Sequence, residues 1–381
     1  QSSSATTVMV VGFVNAGLLN LTQSIGIIFG ANIGTTVTAQ IISFKLDGLA
    51  LPAIIIGMLI IITAKNNITK GWGETIFGFG FIFFGMTMMG DELKIIGKFP
   101  LFINIFKSFE CMPVDGIMPF GPVIGAMGIG LVVTLIIQSS SAAMGIILAL
   151  SMGGLIDFWT AVPLLLGTNI GTTITALLAA LPANRRAKQA AVAHLLFNFF
   201  GAAIMVALFY VKWHGTQIPV FMYWVNQLTR GDVFAAVPQN VTRHIAMAHT
   251  LFNVTAVVAF LPFIGVFVKV CNFLVPVRNE AELKFRHLEP NLLNTPSVAI
   301  EQVVSSLRYM VTESWSMVEK ALKNNFMKGK ADDHDFMDLE KREVKIDELQ
   351  AEITEYLVKL TRRELTEPQS EIIPLLMHCT N

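Results

Sequence analysis

Charged side chains are scarce in this chain and are missing from long stretches of it. Lys, Arg, Asp and Glu make up 14% of the 381 residues, against about 25% in soluble domains. None occurs in residues 1–44 or 116–156, whereas the sequence is charged throughout from about residue 279. We therefore predict a lipid-solvated part that ends near residue 277, followed by a water-solvated part. Because the zero net charge averages these two parts, it gives no argument for a nucleic acid as a partner.

Reactive groups are also few. The three cysteines, Cys111, Cys271 and Cys379, lie far apart and show no metal-binding spacing, so we expect free thiols. An enzyme site normally combines a nucleophile, an acid or a base with a partner that activates it. The uncharged stretches contain serines but no neighbouring His or Lys that could activate them. The sequence therefore argues against an enzyme, and we expect no cofactor.

Long apolar runs predict a protein that crosses the membrane several times. A membrane helix needs roughly 17–25 mostly apolar residues. The clearest candidates are Gly48–Ala64, Gly73–Met89, Ile117–Ile137, Ala191–Val211 and Ile245–Val270. Two further regions, 1–44 and 138–181, are long enough to cross more than once but are interrupted by Gly, Asn, Ser and Thr. Interrupted helices at corresponding places in two halves point to the binding site of a transporter.

The two interrupted regions are copies of each other. Gln-Ser-Ser-Ser-Ala at 1–5 recurs at 138–142, and Gly-x-Asn-Ile-Gly-Thr-Thr at 30–36 recurs at 167–173. Both motifs are displaced by 137 residues (138 − 1 and 169 − 32), which indicates an internal duplication. The second copy is preceded by an apolar stretch and the first is not. A charged amine at membrane depth would be costly, so we expect the natural chain to continue before Gln1.

Basic residues in short loops predict the orientation of the spans. The connector 182–189 carries two Arg and one Lys, which places it in the cytoplasm by the positive-inside rule. Two spans follow, so the charged C-terminal part is predicted on the same side. If the first repeat is inverted, the segment after Asn32 ends outside and the next span returns inward, which puts Lys65 and Lys70 in a cytoplasmic loop. The charges therefore favour inverted repeats.

The side chains shared by both copies are uncharged hydrogen-bonding groups. They are Gln1, Ser2, Ser3, Ser4, Asn32, Thr35 and Thr36 in the first copy, and Gln138, Ser139, Ser140, Ser141, Asn169, Thr172 and Thr173 in the second. Na⁺ is a hard cation that takes oxygen ligands, and an oxyanion takes N–H and O–H donors such as those at a helix N-terminus. Without Arg or Lys in the repeats, a dianion needs co-bound cations. The pattern favours coupled Na⁺ and anion transport over a pore lined by basic side chains.

Helix packing is the alternative explanation, since small and polar residues also line close helix contacts in membranes. One Ser-Ser-Ser alone would favour packing, but two motif pairs in register favour a binding site. A second pattern places His194 with Asn198, and His249 with Asn253, each pair on one helix face. For these residues we favour packing, in which each His bonds its Asn or a neighbouring helix, over a proton or substrate role.

The charged tail has the pattern of an antiparallel helical bundle. One apolar stripe comprises Val303, Val304, Leu307, Val311, Trp315, Val318 and Leu322, and a second comprises Leu339, Ile346, Leu349, Ile353, Leu357 and Leu360. Gly329 and the polar run 331–334 predict the turn between them, and a third helix is predicted after Pro368. Glu340, Glu343 and Asp347 form an acidic cluster, for which a solvated helix face is favoured over a metal site.

The duplicated motifs resemble those of the type II sodium/phosphate cotransporters, and the charged tail resembles the PhoU-like domain that many bacterial members carry. The resemblance covers the whole chain. It implies an all-α polytopic membrane protein with two inverted repeats, in which broken or re-entrant helices hold each Gln-Ser-Ser-Ser near the midplane. The implied domains are 1–137 for the first repeat with its following spans, 138–277 for the second, and 278–381 for an incomplete PhoU-like cytoplasmic domain.

The activity implied by the resemblance is Na⁺-driven symport of inorganic phosphate across the bacterial inner membrane, with Na⁺ as the coupling ion. Gln1–Ser4 and Gln138–Ser141 would form the phosphate and sodium site, supported by the Asn and Thr residues of both Asn-Ile-Gly-Thr-Thr motifs. The tail adds a metal-binding role for Glu340, Glu343 and Asp347, and a regulatory protein as a partner. Two alternatives stay open: a carrier of another oxyanion such as sulfate, and a phosphate sensor that signals through the tail.

Overall fold

The computed structural model describes residues 2–44, 47–96, 99, 104, 108–276, 288–323 and 333–380, and this part of the chain is helical without any β-strand. The helices, in chain order, are α1 (Ser3–Asn15), α2 (Leu21–Ile42), α3 (Ala50–Thr63), α4 (Asn67–Ile96), α5 (Phe120–Ile137), α6 (Ser140–Met152), α7 (Phe158–Ala179), α8 (Arg185–Leu208), α9 (Val220–Leu228), α10 (Val241–Phe260), α11 (Ile264–Leu274), α12 (Pro296–Ala321), α13 (Asp333–Leu360) and α14 (Glu367–His378). The predicted all-α class is confirmed.

The chain divides into two compact units. The first takes its residues from Gln1–Thr7, Ile25–Ala179 and Ala191–Lys269, and the second from Val8–Ser24, Ala180–Ala190 and Val270–Asn381. These units follow spatial contacts and not the sequence repeats. The division into 1–137, 138–277 and 278–381 therefore stays a prediction.

Length and composition identify the helices that can cross a membrane. Within the described residues they are α2, α5, α7, α8 and the helical stretch Val241–Leu274. The apolar run Gly48–Ala64 instead holds α3, whose 14 residues span about 21 Å, less than the hydrocarbon core of about 30 Å. The large side chains on the outer face of α3 are more than half exposed: Leu51, Ile55, Leu59 and Ile62. Apolar exposure of this kind suits lipid as the solvent.

Both interrupted regions break into the same two helices. The short helices α1 and α6 have 13 residues each, and the long helices α2 and α7 have 22. Every boundary in the second copy lies 137 residues after its counterpart (140 − 3, 152 − 15, 158 − 21 and 179 − 42). The breaks are also alike, because Gly17 (φ 69°) and Gly154 (φ 73°) follow the short helices in the left-handed conformation that favours glycine. The duplication is therefore a property of the local structure and not only of the sequence.

Glycines allow two helix pairs of the first unit to approach closely. A Cβ atom on Gly130 of α5 would lie 2.0 Å from the Leu164 carbonyl oxygen of α7, and one on Gly167 would lie 1.9 Å from the Met127 carbonyl oxygen. On α3, a Cβ atom at Gly57 would lie 2.5 Å from a backbone nitrogen of α4. Small residues at such crossings are typical of membrane helix pairs, where close backbone packing holds helices together.

The tail forms its own apolar core in the second unit. Val303 and Leu307 of α12 pack with Leu349, Ile353 and Leu357 of α13, and all five are buried. The second half of the first predicted stripe is exposed: Val311 62%, Trp315 70%, Val318 50% and Leu322 50%. Within the described residues, the predicted stripe thus has packed neighbours only along its first turns.

The third tail helix begins slightly earlier than predicted. α14 starts at Glu367, because Thr366 and Gln369 form a capping box and Pro368 fits the first helical turn. The turn predicted at Gly329 lies outside the described residues, and α13 begins at Asp333, within the polar run that was assigned to that turn.

Candidate functional site

The first serines of the two repeat motifs stand at matching helix N-termini. The Ser2 hydroxyl accepts a hydrogen bond from the Ala5 backbone N–H at 3.2 Å, and the Ser139 hydroxyl accepts one from Ala142, also at 3.2 Å. Each of these serines therefore caps its helix, which satisfies one of the free N–H groups of the first turn. Neither capping bond was predicted, although Ser before a helical run is a standard signal for it.

The next two serines of each motif are available for other partners. Ser3 and Ser140 begin α1 and α6 and are buried, whereas Ser4 and Ser141 are half-buried. The Ser3 backbone N–H is bonded to Thr35, but those of Ser4, Ser140 and Ser141 remain in the first helical turn, where the helix dipole favours negative charge. Two uncharged helix N-termini lined by hydroxyls can thus donate hydrogen bonds to an oxyanion.

Gln138 ends α5 in a left-handed conformation, two residues before α6 begins. Its backbone is left-handed (φ 58°, ψ 21°), and its N–H donates to the Thr134 carbonyl oxygen at 2.7 Å. This conformation costs a non-glycine residue about 1–2 kcal/mol. Such strain is typical of functional sites, where the surrounding structure holds a residue in place. The equivalent residue, Gln1, lies outside the described residues.

The first serine motif contacts the first Asn-Ile-Gly-Thr-Thr motif. The Ser3 backbone N–H donates to the Thr35 hydroxyl oxygen at 3.0 Å, and that hydroxyl donates to the Ala31 carbonyl oxygen at 3.1 Å. In the second copy, Thr172 makes the matching bond to its own helix, to the Thr168 carbonyl oxygen at 2.8 Å. Among the described residues, no hydrogen bond joins the serine motif of one copy to that of the other.

The last threonine of each motif forms a hydrogen bond within its own helix. Thr36 donates to the Ile33 carbonyl oxygen at 2.8 Å, and Thr173 donates to the Ile170 carbonyl oxygen at 2.7 Å. Both side chains are buried. Their hydroxyl protons are already engaged, so these two residues can offer a ligand only oxygen lone pairs.

The asparagines of the two motifs are held from α8 and α10. The Asn198 side chain donates to Asn32 Oδ1 at 3.4 Å, and His249 Nε2 lies 3.2 Å from Asn169 Oδ1. Asn198 also donates to the His194 carbonyl oxygen, and Asn253 to the His249 carbonyl oxygen. His249 therefore bonds a neighbouring helix as expected, whereas the His194 ring has no hydrogen-bond partner in the described part of the chain.

These contacts leave several polar atoms unpaired in a buried place. The side chains of Asn169, His194, Asn198, His249 and Asn253 are each exposed by 5% or less. Among the described residues, no partner is present for Asn169 Nδ2, Asn198 Oδ1, His249 Nδ1 or Asn253 Oδ1. An unsatisfied buried group costs about 1–3 kcal/mol, so its persistence points to a bound water or ion. The sequence pattern revealed the His and Asn pairs but not their partners.

The predicted acidic cluster of the tail stands apart from these residues. Glu340, Glu343 and Asp347 are exposed on α13. Across the described residues, no group of three or more His, Cys, Asp or Glu side chains is placed to hold a metal ion. The metal-binding role stays a prediction without a ligand set.

The sequence model of the Na⁺/Pi-cotransporter family matches residues 1–91 and 121–223, about half of the chain and both copies of the repeated motifs. The chain belongs to the Na⁺/Pi-cotransporter family. The family consists of phosphate transporters and not enzymes. Together with the apolar helices, this membership makes the chain an integral membrane protein.

Relatives within and beyond bacteria share parts of the sequence. "Uncharacterized protein YqeW" of Bacillus subtilis is 31% identical over 278 residues, 73% of this chain and 81% of that protein. "Putative inorganic phosphate export protein YjbB" of Escherichia coli K12 is 26% identical over 372 residues, 97% of this chain but only 63% of that protein. "Sodium-dependent phosphate transport protein 2A" of Oryctolagus cuniculus is 34% identical over 100 residues, 25% of this chain and 15% of that protein. No solved structure shows a significant match to the chain.

The contact between His249 and Asn169 gives a first testable expectation. We expect the two side chains to be energetically coupled by about 0.5–1.5 kcal/mol, the range found for hydrogen bonds between membrane helices. The measurement is a double-mutant cycle on unfolding in mixed micelles, with His249→Ala, Asn169→Ala and the double variant. The control is His194→Ala on α8, because His194 occupies the matching position but does not bond Asn169. The destabilisation from His194→Ala should simply add to that from Asn169→Ala. Equal coupling for both histidines would contradict the assignment.

Proposed function

We propose that this chain binds inorganic phosphate together with Na⁺ at the paired serine motifs and carries both across the membrane as a symporter. The observation that carries the proposal is the matched pair of helix N-termini, capped by Ser2 and Ser139, with buried Ser3 and Ser140 beside the caps. Donors of this type suit a phosphate anion. The membership in a phosphate transporter family supports the same substrate.

The need for Na⁺ follows from the charge of the site. Neither copy of the motifs contains a Lys or Arg, so the chain supplies only dipoles against one or two negative charges. Moving such an anion through a low-dielectric region uncompensated is strongly unfavourable. Hydroxyl, amide and carbonyl oxygens are ligands for a hard cation, and the unpaired Asn198 Oδ1 and Asn253 Oδ1 add two buried oxygens of that kind. Sodium as the coupling ion is therefore part of the proposal.

The helix directions support an inverted arrangement of the two repeats. Directly after α2, the Ser43 carbonyl oxygen accepts a hydrogen bond from Thr242 at the start of α10. The earlier residue Gln40, within α2, donates to Thr250 further along α10, which indicates opposite directions for these two helices. On α7, the Phe158 ring lies near the His244 ring and the later residue Asn169 contacts His249, so α7 runs with α10. These contacts support the proposal that α2 and α7, the matching long helices, are inverted relative to each other. Alternating access about a central site suits such repeats.

The experiment that tests the proposal is phosphate transport by the full-length protein in proteoliposomes. We expect uptake of ³²P-phosphate under an inward Na⁺ gradient and little uptake when choline replaces Na⁺. Loading the vesicles with phosphate and Na⁺ should give the reverse flux, because a symporter moves both solutes in either direction. Sulfate in excess should compete weakly if phosphate is the substrate.

Three results would contradict parts of this proposal. Flux indifferent to Na⁺ would remove the coupling and would agree with simple export, which is the activity in the name of the E. coli relative. Full competition by sulfate would make the substrate a broader oxyanion class. Absence of flux would favour a sensor.

The proposal also covers the cellular location of the protein and the role of its charged tail. We infer a bacterial inner-membrane protein whose connector 182–189 and tail face the cytoplasm, from the basic residues of that connector. Asn15, the last residue of α1, hydrogen-bonds Glu289 and accepts a hydrogen bond from the Asn184 backbone N–H at 2.7 Å. The tail thus contacts the far end of the helix that begins with a serine motif. This contact supports a regulatory role for the tail, which stays a prediction.

A further inference from the structure

A cavity of about 490 Å³ opens where α2 ends and α10 begins. Its polar lining consists of Ser43, Thr229, Arg230, Asn240, Thr242 and Arg243. None of the lining residues is an acid, although two are arginines. We call this cavity the arginine vestibule. The vestibule is therefore positively charged, whereas the repeat motifs contain no Lys or Arg.

Arg243 is held in place before any ligand arrives. Its Nη1 donates to the Gln40 carbonyl oxygen and to the Ser43 hydroxyl oxygen, both at 3.1 Å. The guanidinium also lies 4.1 Å above the centre of the Phe44 ring. Among the described residues, no hydrogen bond engages its Nη2 or Nε. A planar guanidinium fixed on one edge presents the other edge to an oxyanion at little entropic cost.

Arg230 brings a second positive charge, which forms no ion pair with the described part of the chain. Its backbone carbonyl accepts a hydrogen bond from the Asn240 side chain at 2.8 Å, which ties the loop before α10 together. Its side chain is exposed and forms no ion pair with a described residue. The nearest acid in sequence, Asp232, accepts hydrogen bonds from the Asn226 side chain at 3.1 Å and from the Phe234 N–H at 2.9 Å, and it is not part of the lining.

Two further features favour an anion in the vestibule. The 20-residue helix α10 begins there, so the positive end of its dipole adds to the two guanidinium charges. The Thr229 hydroxyl lines the vestibule and is buried, yet it has no hydrogen-bond partner in the described residues. An O–H donor without a partner beside two cationic side chains matches the needs of a tetrahedral oxyanion.

We propose that the arginine vestibule is a second binding site for inorganic phosphate, through which substrate passes on its way to or from the serine motifs. The positive-inside rule predicts this end of the bundle to be the periplasmic one. The proposal rests on the proposed function for its link to transport, but binding in the vestibule can be tested separately. A positive entrance raises the local anion concentration and so acts on apparent affinity more than on the maximal rate.

The transport test uses Arg230→Cys in a Cys379→Ser background, because Cys379 is exposed whereas Cys111 and Cys271 are buried. We expect KM for phosphate to rise about fivefold to tenfold and the maximal rate to stay within about twofold. Coupling a trimethylammonium-ethyl thiosulfonate to the new thiol should restore KM, and coupling a sulfonate-ethyl reagent should raise it further. Lys212→Cys removes a positive charge from the loop before α9, outside the vestibule, and should leave KM unchanged.

The binding test does not depend on transport. Leu228 lines the vestibule and is 53% exposed, so Leu228→Cys can report on occupancy through its rate of modification by the sulfonate reagent. Inorganic phosphate at about twice its Kd should slow this rate about threefold, and adding Arg230→Gln should abolish the protection. Lys212→Cys should not be protected.

The outcomes separate the two proposals. No protection of the Leu228→Cys thiol, together with an unchanged KM in Arg230→Cys, would overturn the vestibule. Protection without any phosphate flux in the parent protein would support the vestibule and contradict the symporter. If the KM effect appeared only in vesicles with phosphatidylglycerol and vanished in phosphatidylcholine alone, an anionic lipid headgroup and not free phosphate would be the ligand.

Discussion

Alanine in place of Ser140 should lower the proposed Na⁺-driven phosphate transport about tenfold to a hundredfold, the effect of losing one hydrogen bond to a charged ligand of about 1.5–3 kcal/mol. Ser140 is buried at the first turn of α6. The helix cap is formed by the neighbouring Ser139, whose hydroxyl oxygen accepts a hydrogen bond from the Ala142 N–H. The missing hydroxyl should therefore affect the ligand and not the helix. The measurement is initial uptake per amount of reconstituted protein, with membrane insertion checked separately.

Two further variants serve as controls for Ser140→Ala. Ser151→Ala removes a hydroxyl near the opposite end of the same helix, outside the serine motif, and we expect transport close to that of the parent protein. Ser139→Ala removes the cap and should reduce stability by about 1 kcal/mol. Parent-level uptake by Ser140→Ala would remove this serine from the site.

Alanine at Gly130 should strongly destabilise the membrane part of the protein, although it adds only one methyl group. The added Cβ atom would meet the Leu164 carbonyl oxygen at 2.0 Å and the Thr168 nitrogen at 3.1 Å, so α5 and α7 would have to separate. Interiors pack too densely to absorb such a shift without loss, and we expect about 3 kcal/mol of destabilisation, the upper end of the usual range for overpacking, or a failure to fold. Thermal unfolding of the detergent-solubilised protein measures it.

Gly128 is the matched control for Gly130. It lies two residues away on α5, and a Cβ atom there would meet nothing within 4 Å. Alanine at this position should leave stability unchanged or raise it slightly, since Ala is favoured over Gly inside a helix by about 1 kcal/mol. Equal unfolding temperatures for the two variants would contradict the close crossing of α5 and α7.

Those features of the candidate site that involve residues close in sequence could be anticipated from the sequence. The duplicated motifs predicted two matching interrupted regions, and the structure breaks both at the same offset, with Gly17 and Gly154 in equivalent left-handed turns. Local information was sufficient because a helix cap and a glycine turn involve residues only a few positions apart. The same holds for the helical periodicity of the tail.

The partners across helices could not be anticipated in this way. That Asn198 would hold Asn32 and that His249 would hold Asn169 depends on which helices become neighbours. Periodicity predicted one apolar stripe along α12 but not which part of it would be covered, and Val311 and Trp315 are exposed. The arginine vestibule joins residues about 200 positions apart, such as Ser43 and Arg243, and no sequence spacing indicated it.

The sequence by itself determined the membrane class, the duplication and the chemical groups available at the candidate site, since these follow directly from composition and repeated motifs. Only the tertiary structure decided which motif residues already form hydrogen bonds and which buried polar atoms are left without a partner. It also decided where positively charged side chains lie close together. Those features depend on distances between helices that are remote in sequence. Such distances are set by packing, for example at Gly130 and Gly167, where the absence of a side chain lets two backbones touch.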